Sequence, residues 1–133
     1  MENSASGAIK DAKRWIATAA YSGESGNYDI ALYSAEMALE IAMKALLIKN
    51  GVDYPKKHDV IDQFKLVVNS RGVNRQLREK SDDIVKTFSK LLDLRNMAGY
   101  NFGELKLDDQ TKQETRALIG STGLYIKIIE ATI

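Results

Sequence analysis

Apolar residues recur along this chain at intervals of three and four, the spacing that aligns side chains on one face of an α-helix. Strand-like alternation is scarce, and a single proline, Pro55, interrupts the sequence. The pattern predicts helices over about 6–21, 27–49, 59–69, 74–98 and 109–131. In the first, Ser6 can cap the N-terminus, Ala8, Ala12, Trp15 and Ala19 share a face, and Lys10, Lys13 and Arg14 share another. Ser22-Gly23-Glu24-Ser25-Gly26 reads as a turn. The second carries Ala31, Ala35, Ala38, Ala42 and Ala45 as a small-residue stripe, flanked by Leu32, Leu39, Met43 and Leu46. A further side bears Tyr33, Met37, Glu40, Lys44 and Ile48, so little of its circumference is polar. Such a helix is expected at the centre of the fold or against another chain. Asn50-Gly51 supplies its C-terminal stop.

The third segment presents Val60, Ile61, Phe64, Val67 and Val68. In the fourth, Leu77, Ile84, Phe88 and Leu91 form one apolar line, and the next position along it is Arg95. Gly99 suits the end of that helix, and Asp108 suits the cap of the last one. The last carries Leu118, Tyr125 and Ile129 on one face. Gly120 and Gly123 weaken its middle by about 1 kcal/mol each relative to Ala unless they allow close packing. The expected fold is all-α, an antiparallel bundle of about five helices forming one domain over 1–133.

Composition narrows the function classes. A length of 133 residues with 44% hydrophobic and 28% charged positions describes a chain able to bury its own core. With no cysteine, disulfides and thiolate metal sites are excluded. No apolar run is long enough for a membrane span, and the opening residues lack a basic stretch followed by an apolar one. A cytoplasmic protein with no membrane contact is expected. The net charge of +1 offers no global field for nucleic acid, so any such contact needs a local patch. Lys10, Lys13 and Arg14, and the group Arg71, Arg75, Arg78 and Lys80, are candidates, although interspersed acids favour an ordinary solvated surface.

Arg95 is the first residue to suggest chemistry. Buried alone it would be very costly, so it needs a carboxylate, carbonyls, a ligand phosphate or a route out to water. Glu40 and Lys44, four apart, form a helix-stabilising pair worth about 0.2–0.5 kcal/mol, or line a groove opposite Arg95. The lone histidine, His58, reads as a capping or loop-packing residue at the start of the third helix. One histidine without carboxylates at ligand spacing predicts no metal site, and no cofactor is implied. Gly23-Glu24-Ser25-Gly26 lacks the lysine and preceding strand of a phosphate loop.

Together these segments resemble a known family. The stretch from Tyr28 to Leu47, with Ala31, Ala35-Glu36 and Lys44-Ala45-Leu46-Leu47, is similar to the second helix of HEPN (higher eukaryote and prokaryote nucleotide-binding) domains. Gly51 followed by His58-Asp59-Val60 is similar to the family's entry into its third helix. Leu94-Arg95-Asn96-Met97-Ala98-Gly99-Tyr100 is similar to its closing signature, and the ordered match covers about 10–100. The resemblance implies a four-helix core, to which the C-terminal helix is added here.

In the nuclease branch of that family an arginine is separated from a histidine by four to six intervening residues, and two such motifs meet across a dimer to cleave RNA. Here Tyr100, Asn101 and Phe102 stand where that histidine belongs. Tyrosine, with an unperturbed pKa near 10, is a poor proton acceptor at neutral pH. The resemblance therefore implies a non-catalytic homodimer that binds nucleotide or RNA, or a minimal nucleotidyltransferase as partner in a toxin–antitoxin-like module. Arg95, Asn96 and Tyr100 would line a cleft with Glu40, Lys44 and Tyr33. The alternatives are a divergent ribonuclease using Arg95 with Tyr100 or His58, and a helical scaffold without a ligand.

Overall fold

The computed structural model describes residues 4–54, 56–70, 72–100 and 109–133, with 98–100 described through their backbone only. Among the described residues five helices follow in order: α1 (Ala5–Glu24), α2 (Tyr28–Lys49), α3 (Ile61–Val68), α4 (Arg75–Tyr100) and α5 (Asp109–Glu130). No strand occurs among the described residues, as the periodicity predicts.

The helix ends differ from the expected ones for local reasons. Ser4, not Ser6, caps α1, its hydroxyl accepting from the Gly7 amide at 2.9 Å. At its other end α1 runs through Ser22 and Gly23 rather than turning there. Both are buried, and a side chain on Gly23 would meet the Ile119 methyl at 3.2 Å, so helix continuation there serves a close approach to α5. The turn falls instead at Ser25–Asn27, where Gly26 takes a φ of 81°. Gly51 takes a φ of 66° after α2, the left-handed geometry expected of a helix stop. The α4 backbone continues helical through Gly99 to Tyr100. Pro55, Arg71, Asp108 and the side chain of Tyr100 lie outside the described residues.

α2 is the centre of the molecule: 14 of its 22 residues are buried, and it touches all four other helices. The whole alanine stripe, Ala31 to Ala45, is excluded from solvent. Short side chains let α1 and α5 approach the α2 backbone while Leu32, Leu39, Met43 and Leu46 fill the core. α1 runs back along α2 after a short turn, and α5 lies antiparallel to α1. Arg116 near the start of α5 pairs with Glu24 at the end of α1, while Glu130 at the far end pairs with Lys13. Gly120 faces open space and a side chain on Gly123 would make only ordinary contact with Ile16, so neither permits unusually close packing.

α4 contributes Leu77, Ile84, Phe88 and Leu91, all fully buried, against α2, α3 and α5. This line carries Arg95 onto the flank of α2. α3 seals one side with Phe64, Val67 and Val68. Among the described residues no helix is long and apolar enough to cross a membrane.

Candidate functional site

Three residues of α2 at four-residue intervals, Glu36, Glu40 and Lys44, stack along one line of the helix. The two carboxylates are buried, which is unusual for charged groups and requires partners. Lys44 Nζ donates to Glu40 Oε2 at 2.9 Å, and its ammonium lies 5.3 Å from the centre of the Tyr54 ring. Glu36 Oε2 accepts from Arg95 Nη1 at 3.0 Å. The Arg95 guanidinium rests on Tyr33, 4.5 Å from the ring centre, and Tyr33 meets Trp15 of α1 at a tilt of 56°. Arg95 thus finds the carboxylate and the aromatic face that its place on an apolar line demands.

His58 closes the network. It comes from the segment between α2 and α3, where Asp59 Oδ1 accepts from the Ile61 amide and Val60 is buried, anchoring the backbone on both sides of α3's start. No side chain caps α3 at Val60, so His58 does not take the capping role its position suggested. The His58 ring is left to reach α2 and α4: Nδ1 lies 2.9 Å from Glu40 Oε1, and Nε2 lies 3.2 Å from Arg95 Nη2. A proton on Nδ1 lets Glu40 accept from it, and the bare Nε2 then accepts from Arg95. Both partners select this tautomer. The ring is 54% exposed, the most open member of the network.

Glu36 holds the tension of the site. Its Oε1 is buried and, as a carboxylate oxygen, has no hydrogen-bond partner. Burial pushes its pKa up to about 8, with the neighbouring Glu40 adding to the rise and Arg95 and Lys44 opposing it. A proton on Glu36 resolves the orphan oxygen, because the acid can donate to Glu40.

Glu36, Glu40 and His58 also offer ligand atoms within 4.8 Å of one another. Arg95 and Lys44 already neutralise the two carboxylates, however, so the donor set has no excess negative charge with which to hold a metal cation. Beside Lys44 opens a cavity of about 620 Å³ lined by Lys10, Arg14, Ile41, Ile48 and Tyr54. At Asp11 and Arg14 it adjoins a second cavity of about 430 Å³ that reaches Trp15.

With this geometry in place, the comparison with known families is decisive: a model of the HEPN domain matches residues 5–131. The chain belongs to the HEPN family. A search of curated proteins finds no match to it.

In this HEPN domain the structure brings Arg95, Tyr33, Glu40 and Lys44 into one cluster, as the sequence suggests, but with a different wiring. Arg95 pairs with Glu36, and His58 connects it to Glu40. Asn96 is exposed, and the side chain of Tyr100 lies outside the described residues. Glu36 is the residue that sequence reasoning missed. The signal was available: a carboxylate four residues before Glu40 on an otherwise apolar stretch shares the same helical line.

Proposed function

We propose that this HEPN domain binds the phosphate of a nucleotide or RNA strand at Arg95 and His58. The observation that carries this reading is the 3.2 Å contact between the two side chains, at the outer edge of a buried pair of carboxylates. An arginine held by Glu36 and Tyr33 is oriented before the ligand arrives, which lowers the ordering cost of binding. Lys44, Lys10 and Arg14, with the ring of Tyr54, line the adjoining cavity and suit a phosphate chain and a stacked base. Titrating fluorescent 2′-O-methyl RNA and ATP into wild type and Arg95→Ala tests it: binding is expected for wild type and lost in the variant. Binding retained in Arg95→Ala refutes the assignment.

The binding unit in this proposal is a homodimer that partners a minimal nucleotidyltransferase. Ile30, Tyr33 and Met37 follow one another by three and four along α2 and leave an apolar strip open beside the cavity at Lys44. A second copy covering it would remove that surface from water. Light scattering that finds a monomer at tens of micromolar argues against the dimer.

One observation favours RNA cleavage as the second reading. Glu40 orients His58 so that its unprotonated Nε2 faces the Arg95 guanidinium at the open edge, and Nε2 is freed as a base when a phosphate takes over the Arg95 Nη2 donor. Nε2 could take the proton of a ribose 2′-hydroxyl, whose oxygen attacks phosphorus while Arg95 offsets the developing charge. The 5′-oxygen leaves with a proton from solvent, giving a 2′,3′-cyclic phosphate and a 5′-hydroxyl. Here His58 replaces the histidine that the Arg95 motif lacks. Cleavage of unmodified RNA by wild type, abolished in His58→Gln even at protein concentrations that saturate the weaker-binding variant with RNA, selects this reading over binding alone.

A further inference from the structure

Glu36 presents a problem of charge. With both acids ionised, Glu36 and Glu40 balance Arg95 and Lys44, and the network is neutral. An added phosphodiester would place a third negative charge beside two positive ones, and buried Glu36 would compete with it for Arg95. With a proton on Glu36 the network carries one excess positive charge, which a phosphodiester monoanion cancels. We propose that Glu36 is the positioning residue through which the site couples anion binding to a proton: neutral Glu36 leaves the charge of Arg95 to the ligand, and ionised Glu36 claims it. This rests on the phosphate-binding reading of Arg95 and His58.

The geometry supports the coupling in three ways. Glu36 is fully buried, so solvent cannot screen its charge. Its Oε1 has no partner as a carboxylate but can donate to Glu40 as an acid, so the protonated form satisfies the site better. Its Oε2 is held by the same guanidinium whose Nη2 reaches His58 at the open edge. The charged groups facing Glu36 are Glu40 and Lys44 from α2 and Arg95 from α4, with His58 reaching in between α2 and α3. Among the described residues, α1, α3 and α5 place no ion-pair partner on it. The rise of its pKa to about 8 puts the transition within reach of ordinary buffers.

The test measures the affinity of a 2′-O-methyl hexaadenylate, which cannot be cleaved through its 2′-oxygen and does not titrate in this range, by fluorescence anisotropy. Wild-type affinity should be nearly constant to about pH 7 and weaken toward about tenfold per unit above about pH 8. Glu36→Gln, an amide in place of the protonated acid, should keep its affinity at about pH 9 and lose the slope. His58→Gln should bind more weakly yet retain the slope. Calorimetry of wild type in two buffers of different ionisation enthalpy should find about one proton taken up per site at about pH 9, a readout that needs no variant to fold. Wild-type binding with no slope and no proton uptake, or a wild-type slope in Glu36→Gln, overturns the coupling and leaves the phosphate site standing. No oligonucleotide binding at any pH overturns both.

Discussion

Among the described residues two arginine–glutamate pairs join distant parts of the chain, and they behave oppositely. Arg116 meets Glu24 with two hydrogen bonds of 2.8 and 2.9 Å, a two-pronged arrangement, yet both side chains are more than half exposed. The guanidinium holds the Glu24 carboxyl below its ordinary value, through the hydrogen bond first and charge second. Arg95 meets Glu36 at 3.0 Å with side-chain exposures of 15% and 0%. There the carboxyl is pushed up to about 8, because loss of water and a second carboxylate outweigh the same kind of cation. The partner's identity does not decide the sign of the shift; the surrounding dielectric and the other charges do. The outer pair helps align α1 with α5, while the inner pair holds its charges out of water beside a second carboxylate.

The largest effect that separates the pairs should come from Arg95→Ala. It strands Glu36, and urea unfolding at about pH 9 should show a loss of about 3–5 kcal/mol. Near pH 6, where Glu36 carries a proton, the loss should be smaller. An equal loss at both pH values would break the contrast.

Next is the pH dependence of wild type itself. Glu36 has a folded pKa above its unfolded value of 4.5, so the folded state binds its proton more tightly. Its contribution is fully present below about pH 4.5 and is lost as pH rises through about 8, on the order of a few kcal/mol. Denaturation curves of Glu36→Gln across this window should lack that decline. An unchanged decline would assign it to other groups.

His58→Gln should change stability by less than about 1 kcal/mol, because the ring is mostly exposed, while it weakens oligonucleotide binding. A collapse of the thermal melt would make His58 a structural residue. The smallest effect belongs to Arg116→Ala, which should leave the urea midpoint unmoved in moderate salt, because water and salt screen the outer pair. For Glu24 the depressed pKa sets the opposite sense to Glu36: its contribution is present above about pH 4.5 and is lost as the solution becomes more acidic. A midpoint for Arg116→Ala that falls as far as that of Arg95→Ala would erase the distinction.

Much of the fold was legible because helical periodicity is local. The alanine stripe of α2 and the Leu77–Ile84–Phe88–Leu91 line of α4 are buried where their spacing places them. The ends were less legible. Ser22 and Gly23 read as a turn by composition, yet they stay helical because their surroundings include Ile119, 96 residues away from Gly23 in sequence. At the site, Arg95 announced itself as a charge on an apolar line and Glu36 shared a helical line with Glu40, but nothing local paired Glu36 with Arg95. His58 read as a cap because it stands at a helix entry, and only the folded chain carries its ring to Glu40 and Arg95.

By itself, then, the sequence determined the helix count, the central place of α2 and the need of Arg95 for a partner, since each follows from spacing along one helix and the cost of burying charge. The tertiary structure decided which acid answers Arg95, that His58 lies between Arg95 and Glu40, and that burial beside Glu40 raises the Glu36 carboxyl above its ordinary value. Those outcomes depend on which side chains meet across elements 18 to 59 residues apart, and on how far water is excluded where they meet.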